Sequence, residues 1–195
     1  MGYKQSQDYI IRKKDTNYFG MEWQTISVSI ISVAWSNNYF KSELLKNTNK
    51  LLHELINGCP PDIKFCGLEN SQSVNHLILP YRDFKTFGWS KEKFSNFFHE
   101  NEASDTLDLN YGLPKKLIVD CFYDLSLKEE LLRNPKKLLK SLCYDVDDNV
   151  TYYTHENTEL ISHIILPYNK WHGKGLSSER LEQLLLDDLK KPSCN

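Results

Sequence analysis

Two thirteen-residue phrases, "ENSQSVNHLILPY" at 69–81 and "ENTELISHIILPY" at 156–168, place Glu, Asn, His, Pro and Tyr at matching positions. A repeat at fixed spacing constrains architecture more than any single motif, because each copy must build the same supersecondary unit. Sliding 33–98 onto 120–185, an offset of 87 residues without a gap, gives 19 identities in 66 pairs. Composition alone would give about four. The expected fold is α+β, made of two tandem pseudo-symmetric units at 23–98 and 113–188. An N-terminal extension (1–22), a polar, acidic linker (99–112) and a tail (189–195) complete the division.

Within each unit the order of parts follows from periodicity. Leucines at 44, 45, 51, 52 and 55, echoed at 131, 132, 138, 139 and 142, recur at spacings near three and four and predict an apolar helical stripe. Asn47 and Asn134 fit the N-cap of a further short helix, with Pro135 at a first helical position where its missing amide is harmless. The stretch 21–36 is β-branched enough to suggest strand. Its partner 113–126 opens on a proline and runs into a clear helix, so both are expected to be helical. Residues 63–68 and 74–79, and 150–155 and 161–166, read as strands. Joined by the turns "ENSQS" and "ENTEL", they predict one β-hairpin per unit, each closed by Pro80 or Pro167. A last helix is expected over 177–190 with Ser177 as N-cap.

Charge excludes some partners. With 24 basic and 26 acidic residues the formal net charge is -2, which gives no electrostatic reason to expect nucleic acid or an anionic membrane. No run approaches the length of a membrane span, and the N-terminus lacks the order of a secretory signal. Five cysteines, an odd number without a CxxC pair, suit free thiols and a cytoplasmic location, with export after processing left open. Cys194 is the thiol expected to react. Gly2 and Ser6 meet the bare myristoylation pattern, which is too short to weigh.

The order "AWSNNYFKSELLKN", "NKLL", a polar turn, then "ENSQSVNHLILP", repeated as "LRNPKKLLKSL", "ENTELISHIILP" and "LSSERLEQLL", resembles the nitrile hydratase alpha-subunit-like leader peptide family. These are the long leaders of proteusin-type ribosomal peptide precursors, and the resemblance covers about residues 23–187. It implies a fold derived from the nitrile hydratase alpha subunit, and a protein partner that is a peptide-modifying enzyme or a transporter. In the hydratases themselves a CxLCSC segment that holds iron or cobalt follows the strand after the ENT phrase. Here the corresponding "PYRDFK" (80–85) and "PYNKWH" (167–172) contain no cysteine, so no cofactor and no catalysis are expected. The closing "LLLDDLKKPSCN" lacks the double-glycine type of processing site found in such leaders, which points to a stand-alone duplicated relative.

The expected function is therefore a non-catalytic recognition scaffold. The alternatives are a self-assembling homo-oligomer and, further off, a degenerate nitrile hydratase-like enzyme. Candidate binding residues are Tyr81, Phe84, Trp89, Tyr168 and Trp171, aromatics that either fill the interface between the units or form a docking patch. The repeat signature Glu69, Asn70, His76, Pro80, Glu156, Asn157, His163 and Pro167 reads as structural. Each histidine shares a strand face with apolar neighbours and is expected to hydrogen-bond its own turn. His155 beside Glu156 counts as a local coincidence unless folding brings further donors to it.

Overall fold

The computed structural model describes residues 28–55, 61–82, 87–100 and 112–189. Three short helices come first, α1 (Val28–Ser36), α2 (Asn38–Lys46) and α3 (Thr48–Leu55), followed by strands β1 (Lys64–Glu69) and β2 (Val74–Leu79) and helix α4 (Lys91–Glu100). The same order returns in α5 (Lys115–Tyr123), α6 (Leu125–Arg133), α7 (Pro135–Ser141), β3 (Thr151–Glu156), β4 (Ile161–Leu166) and α8 (Ser178–Leu189). Each element of the second series starts 87 residues after its counterpart in the first.

Local chemistry explains the helix boundaries. Asn37 and Asp124 adopt the same extended backbone, φ -132 and ψ 101, and their side chains accept from the amides of Phe40 and Leu127. Both are N-caps, satisfying donors that a helix start leaves open. Asn47 and Asn134 do mark the next break, but their side chains turn back to donate to Glu43 and Glu130 and cap nothing ahead of them. Ser177 caps α8, its hydroxyl accepting from the Arg180 amide at 3.4 Å. In α1 the β-branched sequence is helical because burial decides. Ile30, Ile31 and Ala34 are in the core, and Ser32 and Ser36 bond back to carbonyls one turn earlier.

The strands lie where the sequence predicts, but the hairpins do not form. β1 pairs in parallel with β4, Lys64 opposite Ile161 through Glu69 opposite Leu166. β2 pairs in parallel with β3, Val74 opposite Thr151 through Leu79 opposite Glu156. The turns explain why. Ser71 and Thr158 satisfy the reversal internally, each amide donating to the carbonyl of Val74 or Ile161, while the amides of Asn70 and Asn157 donate across to Leu166 and Leu79. Each ladder thus runs on into its turn with a strand from the other series. The apolar runs Leu77–Leu79 and Ile164–Leu166 are buried throughout, the pattern of strands covered on both faces as in parallel sheets rather than the alternation of a half-exposed hairpin.

The cores follow the strand exchange. Ile30, Ile31, Ala34, Leu44, Leu52 and Phe65 pack with Ile164, Leu166 and Leu185, so the first helices close over the last strand and the last helix. Leu117, Ile118, Leu131, Leu138 and Leu139 pack with Leu77, Ile78 and Leu79. Helix α1 lies on α8, and α4 lies on α5. Burying such a Leu or Ile side chain contributes about 1.5–3 kcal/mol, so each core depends heavily on residues from the other half of the sequence. No described helix is long and apolar enough to cross a membrane.

Candidate functional site

Alternation puts Cys66 and Leu68 of β1 on one face with His163 and Ile165 of β4, and His76 and Ile78 of β2 on one face with Tyr153 and His155 of β3. These two faces meet. Ile78 and Ile165 share one buried cluster here, with Leu68 packed against it. Beside them stand three imidazoles, with His155 between His76 and His163 and ring centroids 5.1 Å from each. Tyr153 stacks on His76 with ring centroids 5.6 Å apart.

The row is held by hydrogen bonds from ordinary turn chemistry. Asn70 Oδ1 accepts from the His76 amide at 2.7 Å, and Asn157 Oδ1 accepts from the His163 amide at 2.8 Å. The side chains then differ. His163 Nδ1 reaches its own turn at Asn157 Oδ1, 2.9 Å away, whereas His76 Nδ1 meets His155 Nε2 at 3.0 Å. One of these two rings donates and the other accepts, so the two rings cannot both be charged while the bond is made. Burial, followed by the facing charges of His163 and His76, pushes His155 down to about 4, and burial lowers His76 and His163 as well. Neighbouring ring planes are tilted by 44° and 35°. Among the described residues no group of three or more His, Cys, Asp or Glu side chains is arranged to hold a metal ion.

The remaining repeat-signature residues frame this contact. Glu69 pairs with Lys41 and Glu156 with Lys128, tying each strand end to the second helix of its own series. Pro80 is buried after β2, and the Pro167 carbonyl accepts from the Trp35 indole at 3.0 Å. Asn157 is 1% exposed.

The aromatic candidates separate into two places. After β2, Arg82 enters an aromatic enclosure, its guanidinium carbon 4.4 Å from the Tyr123 ring centre and 5.0 Å from that of Phe94. It donates to the Phe122 carbonyl and the Tyr123 hydroxyl, and Tyr123 donates to the Trp89 carbonyl. Trp89 itself lies under Lys93, and Tyr81 is half-buried. After β4, Trp171 packs on Trp35 with centroids 5.8 Å apart, while Tyr168 is 42% exposed. Phe84 and Cys194 lie outside the described residues. Cys121 is buried, and burial, with Asp120 and Asp124 nearby, pushes its thiol up to about 12; Cys143 is exposed.

Sequence reasoning had no route to Arg82, whose counterpart is Asn169, or to the role of His155, whose counterpart is Leu68. A search confined to what both copies retain passes over each. Pairing β3 with β2 rather than with β4 is what gathers the three histidines.

No protein-family model matches the sequence. Among solved structures, a histidine-to-alanine double mutant of the Fe-type nitrile hydratase from Comamonas testosteroni Ni1 is similar over 80% of this chain, with TM-score 0.50 and 18% identity. The histidine-to-tryptophan double mutant of the same enzyme gives TM-score 0.51 and 17% identity over 80% of this chain. This chain spans 65% of the length of each. At such identity the likeness is one of architecture, and the chain has a nitrile hydratase-like α+β fold.

Proposed function

We propose that the chain is a non-catalytic recognition scaffold, built as two tandem pseudo-symmetric copies of a nitrile hydratase alpha-like unit. The unit is of the kind found in the leader regions of ribosomally made, modified peptide precursors, and its partner is a maturation or export protein. Support for the duplication comes from the constant offset of 87 between helix starts, cap residues and strand registers. The Lys41–Glu69 and Lys128–Glu156 pairs repeat at the same offset.

The observation that carries the non-catalytic reading is the way the segments after β2 and β4 are used. An iron or cobalt centre of the hydratase kind needs soft thiolate donors at that place. Here the segment after β4 offers Tyr168, Asn169, Lys170, Trp171 and His172. Asn169 Oδ1 accepts from the Trp171 amide, and Trp171 is packed on Trp35 with the Lys170 ammonium 4.8 Å from the Trp171 ring centre. After β2, Arg82 is spent on anchoring α4 and α5. These side chains do not fit the group, and the described residues of both segments serve packing.

Two measurements test the reading. Protein purified from cells supplied with iron and cobalt is expected to carry neither metal stoichiometrically and to form no amide from nitriles. A bound metal with thiolate charge-transfer absorption and nitrile turnover would overturn the non-catalytic assignment. Titration of the full chain against a peptide maturase or peptidase-containing transporter encoded beside it, read by tryptophan fluorescence, is expected to saturate. Absence of binding to every such neighbour overturns the recognition role.

A further inference from the structure

We infer that each of the two segments, 28–100 and 112–189, is an open half whose partner is its counterpart in the same chain or in a second copy of the chain. This deepens the two-unit reading above and rests on it, but does not depend on what the scaffold recognises. The argument begins with the turns. Only residues 70–73 separate β1 from β2, and only 157–160 separate β3 from β4. Parallel pairing needs a crossover of about a dozen residues or more, so neither segment can make its own parallel ladder. The backbone donors at Asn70 and Asn157 are accepted by Leu166 and Leu79 of the other segment, and those of Lys64 and Thr151 by Leu160 and Ser73. Among the described residues each ladder beyond the turns is thus made between segments.

The apolar surface leads to the same conclusion. Removing 112–189 would take Ile164, Leu166 and Leu185 from the core around Ile31, Leu44 and Phe65. Removing 28–100 would strip Leu77, Ile78 and Leu79 from the core around Ile118 and Leu131. A lone segment would present two unpaired strand edges and an uncovered apolar face, the conditions under which strands recruit another chain. The occupant that fits is the counterpart segment, since the register of β1 on β4 and that of β2 on β3 are related by the same 87-residue offset. When a second copy supplies that counterpart, two chains trade halves, a closed exchange of identical elements.

The experiment uses the full chain with a protease site introduced between residues 101 and 111. One preparation carries an affinity tag on the first segment, another carries a different tag on the second. After cleavage, each preparation is expected to elute under native conditions as one particle with the mass of the intact chain. After the two cleaved preparations are mixed, unfolded and refolded together, capture on the first tag is expected to bring down the second. Cleaved segments that separate as folded monomers, or refolded mixtures in which the tags never co-purify, overturn the inference. Native-state amide exchange in the uncut Ile164→Pro chain gives an independent reading. Loss of protection at 64–69 is expected, and loss at 151–156 with 64–69 still protected would overturn it. Binding or non-binding of a maturation enzyme leaves these outcomes unchanged, so the two readings can fail separately.

Discussion

β1 and β3 occupy matching places under matching helices, yet they meet those helices in opposite ways. At Gly67 a Cβ would lie 2.5 Å from Thr48 Oγ1 and 3.0 Å from the Leu44 carbonyl oxygen, so the lack of a side chain here lets the α2–α3 corner close on β1. Thr48 in turn is satisfied, donating to the Leu44 carbonyl at 2.6 Å. Eighty-seven residues on, Pro135 opens α7 where Thr48 opens α3, and Thr154 stands in place of Gly67. There the strand keeps its side chain, and Thr154 Oγ1 is buried without a hydrogen-bond partner among the described residues. Gly67 thus meets its corner without a side chain, whereas Thr154 keeps one and leaves its hydroxyl unsatisfied.

The largest effect is expected at the tight side of this comparison. Gly67→Ala forces the new methyl against a backbone oxygen that cannot rotate away, and overpacking of this kind destabilises by about 1–3 kcal/mol. For a chain of this length each 1 kcal/mol moves Tm by about 2–4 °C, so a fall of several degrees is expected in a thermal melt. Adding Thr48→Ala relieves the nearest contact but not that with Leu44, so recovery should be partial. An unchanged Tm for Gly67→Ala would show that the α2–α3 corner is looser than its counterpart.

His155 and Leu68 are the second point of divergence, and here the difference is set by pH. The folded His155 titrates near 4, below the ordinary histidine value of 6.5, because burial and two facing imidazoles oppose its charge. A depressed histidine pKa means that the unfolded chain binds more protons between those values, so stability is intact above about pH 6.5 and is lost as pH falls toward 4. His155→Leu, which copies the residue at the matching position of β1, removes this contribution. Little change is expected at pH 7.5, where one His76 hydrogen bond is exchanged for apolar contact, a difference of about 1 kcal/mol or less. At pH 4.5 the variant should melt higher than the parent. His76 and His163, also lowered by burial, leave it some residual acid sensitivity. Parallel Tm-against-pH curves for the two proteins would remove His155 from the acid response.

What the sequence makes legible follows from the range of each interaction. Caps, turns and strand positions are local, and Asn37, Asp124, Ser71 and Thr158 act within three residues of themselves. The helical state of 28–36 is readable only by comparison with 115–123, since its β-branched residues favour strand on their own. Strand partnership is not local at all. An antiparallel hairpin and a pair of exchanged parallel ladders use the same strands and the same turns, and only the unbroken apolar runs at 77–79 and 164–166 favour the second. The histidine row was hidden for the same reason, because His76 and His155 are 79 residues apart and only the exchange brings them together.

The smallest expected effect lies on the loose side of the comparison. Thr154→Val keeps the shape of the side chain and replaces the unsatisfied hydroxyl with a methyl group. A buried hydroxyl without a partner costs about 1–3 kcal/mol by mutational measures, part of which is recovered when the group is made apolar. A gain of about 1 kcal/mol is expected, visible as a rise of about 2–4 °C in Tm. The gain should be independent of pH, since no titrating group is altered, and it should add to that of His155→Leu only if the neighbouring strand positions relax separately. Loss of stability instead would mean that the hydroxyl is satisfied in solution. The corner under α6 and α7 would then be as fully resolved as the one under α2 and α3, by water or by a small backbone shift in place of a missing side chain.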